Sequence, residues 1–220
     1  MNRPLVTAMM ITGSSRRRKM AQIAVNCFLE QTYENKELVI VNHGTTMSID
    51  DSRVREVSVV DSGPVGLLRN LAMENAKGKI LIFWDDDDWS APERMEVQIG
   101  HLTPDHACLL QRQLRLDLRT QRCIAVCWGC GIPGTMAFSK DDKLFSAMWR
   151  GSDAKFLESF GPKKIAIENN ASLFVRNFHG WNLWDERHIM WPEGARMLTV
   201  DERAFVNRLI IPLYANALSD

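Results

Sequence analysis

Four consecutive aspartates, Asp85 to Asp88, close the apolar run Ile80–Trp84 and lead into Trp89-Ser90-Ala91-Pro92. Adjacent carboxylates repel one another, so a fold that gathers them calls for a cation. Carboxylate oxygens suit hard divalent ions such as magnesium or manganese. Such an ion can hold a diphosphate and neutralise charge on a departing phosphate. The competing reading is an acidic turn that caps a helix starting near Pro92. An apolar strand directly before the turn and a proline-led helix directly after it favour a site. An EF-hand is disfavoured, because no glycine and distal glutamate follow at the required spacing.

Other residues with chemical potential have bland readings. Cys123, Cys127 and Cys130, with His106 and Cys108 upstream, lack the second clear pair of a zinc site and read as small apolar residues. One or two of the seven tryptophans suit a sugar-stacking surface, while core packing accounts for most. The run Arg16-Arg17-Arg18-Lys19 reads as a solvated helix start. It puts positive charge at a helix N-terminus, where the dipole disfavours it, and a nearby anion such as a phosphate would relieve that.

The elements that must position these residues follow from periodicity. Leu5–Ile11, Lys36–Val41, Val54–Val60 and Lys79–Trp84 read as strands; Arg17–Gln31 and the stretch after Ser62-Gly63-Pro64 read as helices. Apolar strands alternating with helices predict a parallel sheet covered on both faces. Ligands of such sheets bind at the carboxyl ends of the strands, where the aspartates fall. After Pro92 come a helix over Glu93–His101, alternating strands through residues 107–130, helices over Asp141–Met148 and Asp153–Phe160, and a strand over Ala171–Arg176. The Trp- and charge-rich stretch after Trp181 fits no single pattern.

Totals set the class. The 220 residues, 45% hydrophobic and 25% charged, allow a sizeable core. Lys+Arg and Asp+Glu are both 27, so no global charge attracts nucleic acid or an anionic membrane. No apolar run approaches a membrane span, and five cysteines without a secretory signal predict a reduced, cytoplasmic protein.

In this setting the chain resembles the family 2 glycosyltransferases, which use nucleotide sugars and have the GT-A fold. The resembling segments are VTAMMITGSSRR, AVNCFLEQTYENKELVIVNHG, GLLRNLAMENAKGKILIFWDDDDWSAPERMEVQ, GTMAFSK, GSDAKFL and LFVRNFHGWNLWD, in that order over about Val6 to His188. The resemblance implies an α/β fold of GT-A type: one domain with a mostly parallel central sheet flanked by helices and a smaller antiparallel acceptor-side portion. Residues 1–104 would be the nucleotide-sugar half, 105–200 the acceptor half and 201–220 a C-terminal helix or tail.

It also implies roles. Asp87 and His179 would hold a manganese or magnesium ion at the donor diphosphate. Thr12, Arg16, Asn42, Arg69, Asp85 and Asp86 would bind the nucleotide sugar, and Asp153 would take the proton from the acceptor hydroxyl. One base and one metal imply an inverting transfer from a UDP-sugar to a glycan or other hydroxyl-bearing acceptor. Asn42-His43 and Ser152 stand where the family usually carries acids. Alternatives are a phage-type enzyme glycosylating hydroxymethylated DNA bases, a non-catalytic nucleotide- or glycan-binding module, and a nucleotidyltransferase. A nucleic-acid acceptor is disfavoured by the neutral net charge, unless Arg112, Arg115, Arg119 and Arg122 share one face beside the site.

Overall fold

The computed structural model describes residues 3–218. Strands β1 (Val6–Thr12) and β2 (Lys36–Asn42) are mostly apolar and buried on both sides, as parallel strands under helices must be. They pair in parallel; β3 (Val54–Ser58) adds beyond β2, and β4 (Ile80–Phe83) adds on the other side of β1. Side chains alternate between the two faces. Ala8, Met10, Leu38 and Ile40 meet Met20, Ala24 and Phe28 of α1 (Arg18–Leu29). Met9, Val39 and Val41 meet Leu68 and Ala72 of α2 (Val65–Asn75). A 3-10 turn, Ser15–Arg17, precedes α1, and Arg17 occupies its N-cap position.

β5 (Trp89–Ser90) leaves this sheet, and α3 (Arg94–His101) returns the chain to it. β6 (Ala107–Leu110), β9 (Ala137–Ser139) and β10 (Lys164–Ile167) extend it to the order β10-β6-β9-β4-β1-β2-β3. Only β9 runs against its neighbours. The second sheet contains the hairpin β7 (Arg112–Asp117) and β8 (Cys123–Cys127), with β11 (Phe174–Phe178) and β12 (Ala195–Arg196). Its order is β12-β8-β7-β11-β5, and only β7 and β11 pair in parallel. The mostly parallel sheet and the mainly antiparallel second one are as expected.

The helix expected over Asp141–Met148 does not form. Asn70 takes both backbone groups of Phe145, donating to its carbonyl at 3.0 Å and accepting from its N–H at 2.8 Å. The Phe145 ring stacks on Phe156 of α4 (Ser152–Glu158) at 3.9 Å. Tertiary partners thus claim the groups a helix would need.

The unassigned stretch after Trp181 folds into α5 (Glu186–Met190), β12 and a C-terminal helical segment. That segment begins as α6 (Val200–Phe205), where Thr199 and Glu202 form a reciprocal capping box. It passes through one π turn, Val206–Ile210, and ends as α7 (Ile211–Tyr214) with Pro212 in its first turn.

Candidate active site at the junction of the sheets

β4 belongs to one sheet and β5 to the other, and Asp85–Asp88 are the crossing between them. Asp86, Asp87 and Asp88 are buried and Asp85 is half-buried. Each of the three buried carboxylates has its own protein partners. Asp86 accepts from the Thr12 hydroxyl at 2.7 Å and from Arg17 at 2.8 Å. Asp88 accepts from the Asn177 backbone N–H at 2.8 Å, and the Asn177 side chain donates to the Asp87 carbonyl at 2.7 Å. Asp87 Oδ2 receives Asn182 at 3.2 Å and lies 3.0 Å from His179 Nε2. The Trp181 backbone N–H donates to His179 Nδ1 at 3.1 Å. That nitrogen therefore carries the lone pair, and Nε2 carries the proton that Asp87 accepts.

Charge compensation comes from below and from the side. Arg94 is buried beneath the crossing, donating to Ser90, Gln98 and the Phe83 carbonyl and stacking on Phe174. Burial pulls its pKa down to about 10, against the pull of Asp85 and Asp88, so it stays charged near neutrality. Burial pushes Asp86 up to about 7, with Arg17 opposing, and pushes Asp88 well above the ordinary carboxylate range. Burial also acts on Asp87, yet the His179 hydrogen bond and Arg17 hold it below its ordinary value. Unequal environments have split four identical side chains.

The aspartates open onto a cleft of about 330 Å³ that is also lined by Arg17, Arg69, Trp149, Asp153, Arg176 and Trp184. Arg69 donates to Ser152 at 2.7 Å and lies over the Phe83 ring. Asp153, in the first turn of α4, receives no hydrogen bond from any described residue. Its Oδ2 stands 3.7 Å from where a side chain on Gly134 would begin, so the glycine keeps that edge open.

A smaller cavity of about 120 Å³ beside it is lined by Thr12, Gly13, Ser14, Arg18, Asn42 and Met47. There the Asn42 amide is engaged by its own turn and strand: Nδ2 donates to Thr45 O and Glu56, and Oδ1 accepts from Gly44 N–H. Arg16 lines neither cavity; its guanidinium is 5.6 Å from the Trp181 ring. Of the residues expected to form the site, the structure brings Asp85, Asp86, Asp87, Arg69, Asp153, Thr12 and His179 to the cleft or its wall. It sets Asn42 in the neighbouring cavity and Arg16 in neither. Arg17, Arg94, Arg176, Asn177 and Asn182 are the members sequence reasoning missed. The basic run at the end of β1 pointed to Arg17, and the other four lie within the segments that carry the family resemblance, where no role was assigned to them.

The donor set fits a hard divalent cation. The Asp85 carboxylate and Asp87 Oδ1 accept nothing from described residues, and hard oxygens are what magnesium and manganese prefer. Among the described residues no three metal-ligating side chains converge, so phosphates and water would complete the shell. His179, as its ring stands, donates a hydrogen bond to Asp87 rather than offering a lone pair.

The cysteines do not gather as a zinc site. Cys27, Cys108 and Cys123 are buried, and burial pushes their thiols up to about 11, 12 and 12; Cys127 and Cys130 are exposed. None of the four arginines that would favour a DNA acceptor lines the cleft, and Arg122 lies over the Trp191 ring. Arg115 is buried against the carbonyls of His188 and Ile189, Arg112 pairs with Glu168, and Arg119 pairs with Asp117 and Glu186. Among the described residues no helix is long and apolar enough to cross a membrane.

Comparison with known proteins agrees with this architecture. Residues 15–121, which run from the turn after β1 through the aspartates into the second sheet, match the family model "Glycosyl transferase family 2". That segment is just under half of the chain. A Haemophilus influenzae protein described as an uncharacterized glycosyltransferase is 30% identical over 116 residues, covering 48% of this chain and 45% of its own. The chain thus spans less than half of that relative's length.

Two solved structures share the fold. The S. aureus TarS structure in complex with UDP-GlcNAc has a TM-score of 0.59 at 14% identity, covering 84% of this chain and 61% of that one. The mannosyltransferase PcManGT from Pyrobaculum calidifontis, in complex with GDP-Man and Mn2+, has a TM-score of 0.61 at 14% identity, covering 99% and 75%. The fold is that of the GT-A glycosyltransferases.

Proposed function

We propose that the protein is an inverting glycosyltransferase that moves a sugar from a nucleotide sugar, UDP-linked by preference, to the hydroxyl of a glycan acceptor. The observation that supports this most directly is the pairing of unlike carboxylates in one cleft: a held cluster, Asp85–Asp88, faces an unpartnered Asp153. In this reading Asp153 removes the acceptor hydroxyl's proton as the oxygen attacks the anomeric carbon. The bond from that carbon to the diphosphate oxygen breaks on the opposite side, and the nucleoside diphosphate leaves with the electron pair. One base and one displacement invert the anomeric centre, without a covalent enzyme intermediate.

A bound divalent ion would supply charge neutralisation for the departing diphosphate, held by Asp87 with Asp85. Arg69 and Arg176 line the same cleft and suit phosphate oxygens. Trp149 lines the same cleft as Asp153 and suits stacking on a pyranose acceptor, while Trp184 is stacked on His188. The TarS and PcManGT structures hold UDP-GlcNAc and GDP-Man with Mn2+, respectively, which supports the donor class and leaves both bases as candidates.

The test is product analysis with UDP-sugars and GDP-mannose, with and without manganese, over a panel of soluble glycans. Release of free UDP or GDP together with glycosylated acceptor is expected. Pyrophosphate as product would replace the reading with nucleotidyl transfer. Binding of a diphosphate with no turnover on any acceptor would favour a non-catalytic module.

A further inference from the structure

In the basic run at the end of β1, Arg16, Arg18 and Lys19 are exposed as in a solvated helix start, but Arg17 is half-buried, and the three arginines go to three different places. Arg16 lies over Trp181. Arg18 donates to the carbonyls of Thr45 and Thr46 at 2.8 and 2.7 Å, bracing the turn after β2. Arg17 alone turns to the aspartates. One of its terminal nitrogens is 2.8 Å from Asp86 Oδ1 and 3.5 Å from Asp87 Oδ2.

We infer that Arg17 is a resident counter-cation of the aspartate seat: it supplies part of the neutralisation otherwise left to a divalent ion, and it holds a nucleoside diphosphate without metal. This rests on the donor-site reading above. Three observations carry it. The first is position: a cation at a helix N-cap opposes the dipole, so the two carboxylates must be what keeps Arg17 there.

The second is the division of its donors. A guanidinium has five N–H groups in a fixed fork; the nitrogen facing the aspartates accounts for the protein contacts, and the others donate to no described residue although Arg17 lines the cleft. A diphosphate in that cleft meets an arginine edge that is already oriented. The third is competition. Arg17 lies against Asp87 Oδ2, and a positive charge so placed repels any second cation drawn to Asp87. One residue therefore weakens the seat for bare metal and strengthens it for an anion.

The two effects have opposite signs, which makes them testable. Manganese affinity of the nucleotide-free protein, by electron paramagnetic resonance, and affinity for UDP and GDP in EDTA, by calorimetry, would be compared in wild type, Arg17→Ala and Arg17→Lys. For Arg17→Ala, manganese should bind about tenfold more tightly, a change of the size one neighbouring charge produces. Metal-free diphosphate affinity should fall about tenfold or more, the worth of a charge-assisted hydrogen bond. Arg17→Lys, which keeps the charge without the fork, should retain wild-type manganese affinity and lose only part of the diphosphate affinity. It also guards against misfolding of the alanine variant.

A merely structural Arg17 would lower both affinities together, and that result overturns the inference, as does no change in either. If wild type binds neither diphosphate even with manganese, the donor-site reading fails and the inference falls with it. If wild type binds with manganese but shows no metal-free binding for Arg17 to support, the inference alone falls.

Discussion

Asp87 and Asp153 share a cleft but are built in opposite ways. Asp87 is fixed by Asn182 and His179 from the loop after β11 and approached by Arg17 from the end of β1. Asp153 stands at the start of a short helix with no described donor, beside a glycine that leaves it room. A carboxylate that must hold charge in place gains from a rigid frame. One that must take a proton from a substrate has to keep its oxygens available for that substrate. If the proposed roles hold, the two halves of the cleft divide holding from reacting, and variants on either side should fail differently.

The largest effect is expected at the free carboxylate. Asp153→Asn should lower the rate of sugar transfer roughly a hundred- to ten-thousandfold, the range for losing a general base. Diphosphate binding by calorimetry should be unchanged; equal loss of both would merge the two roles. Next comes the buried charge beneath the crossing. Arg94→Met removes the cation under Asp85 and Asp88 and should cost about 3 kcal/mol in denaturant unfolding, as expected when one partner of a buried charge network is lost.

His179→Gln keeps a donor of similar reach but loses the imidazole that orients Asp87. Manganese affinity in the presence of UDP should drop about ten- to hundredfold, the usual effect of removing a carboxylate's outer partner. A complete loss would instead make His179 itself a ligand.

The smallest effect lies away from the cleft. Thr199→Ala should cost about 1 kcal/mol by removing the cap of α6. Its partner Glu202 gives the same cap a pH signature. Arg196, then the Thr199 N–H, holds that carboxylate below its ordinary value of 4.5. Its stabilisation is therefore full above the unfolded value and is lost as pH falls through the lower folded one. A thermal-melt series in acid should show Glu202→Gln less sensitive over that window than wild type.

The first half of the chain was readable because its strands are buried on both faces and its helices keep one apolar side. The aspartates could be placed at a strand end from Ile80–Phe83 alone. What could not be read is which cation meets them, because Arg16, Arg17 and Arg18 are identical in type and adjacent in sequence. A 3-10 turn, which no periodicity announces, decides which one faces inward. Asn42 resembled a nucleotide contact by position, but its amide serves Thr45, Gly44 and Glu56, a partner fourteen residues away. The Asp141–Met148 segment has helix-like spacing and was drawn straight by Asn70, a residue from an earlier helix.

The single π turn has a consequence for the C-terminal helix. There the Ile211 N–H reaches back five residues to the Val206 carbonyl instead of four, so the turn absorbs one residue more than an α turn. Ile210, its last residue, and Tyr214 beyond it are buried. The extra residue acts as slack in an otherwise rigid rod. Removing Asn207, Arg208 or Leu209 should let the turn tighten to α geometry while Tyr214 keeps its bearing. Removing one residue from α6, upstream of the slack, would rotate every later side chain by about 100° unless the π turn took up the difference. The chain can thus change length by one residue here without unseating the buried Tyr214.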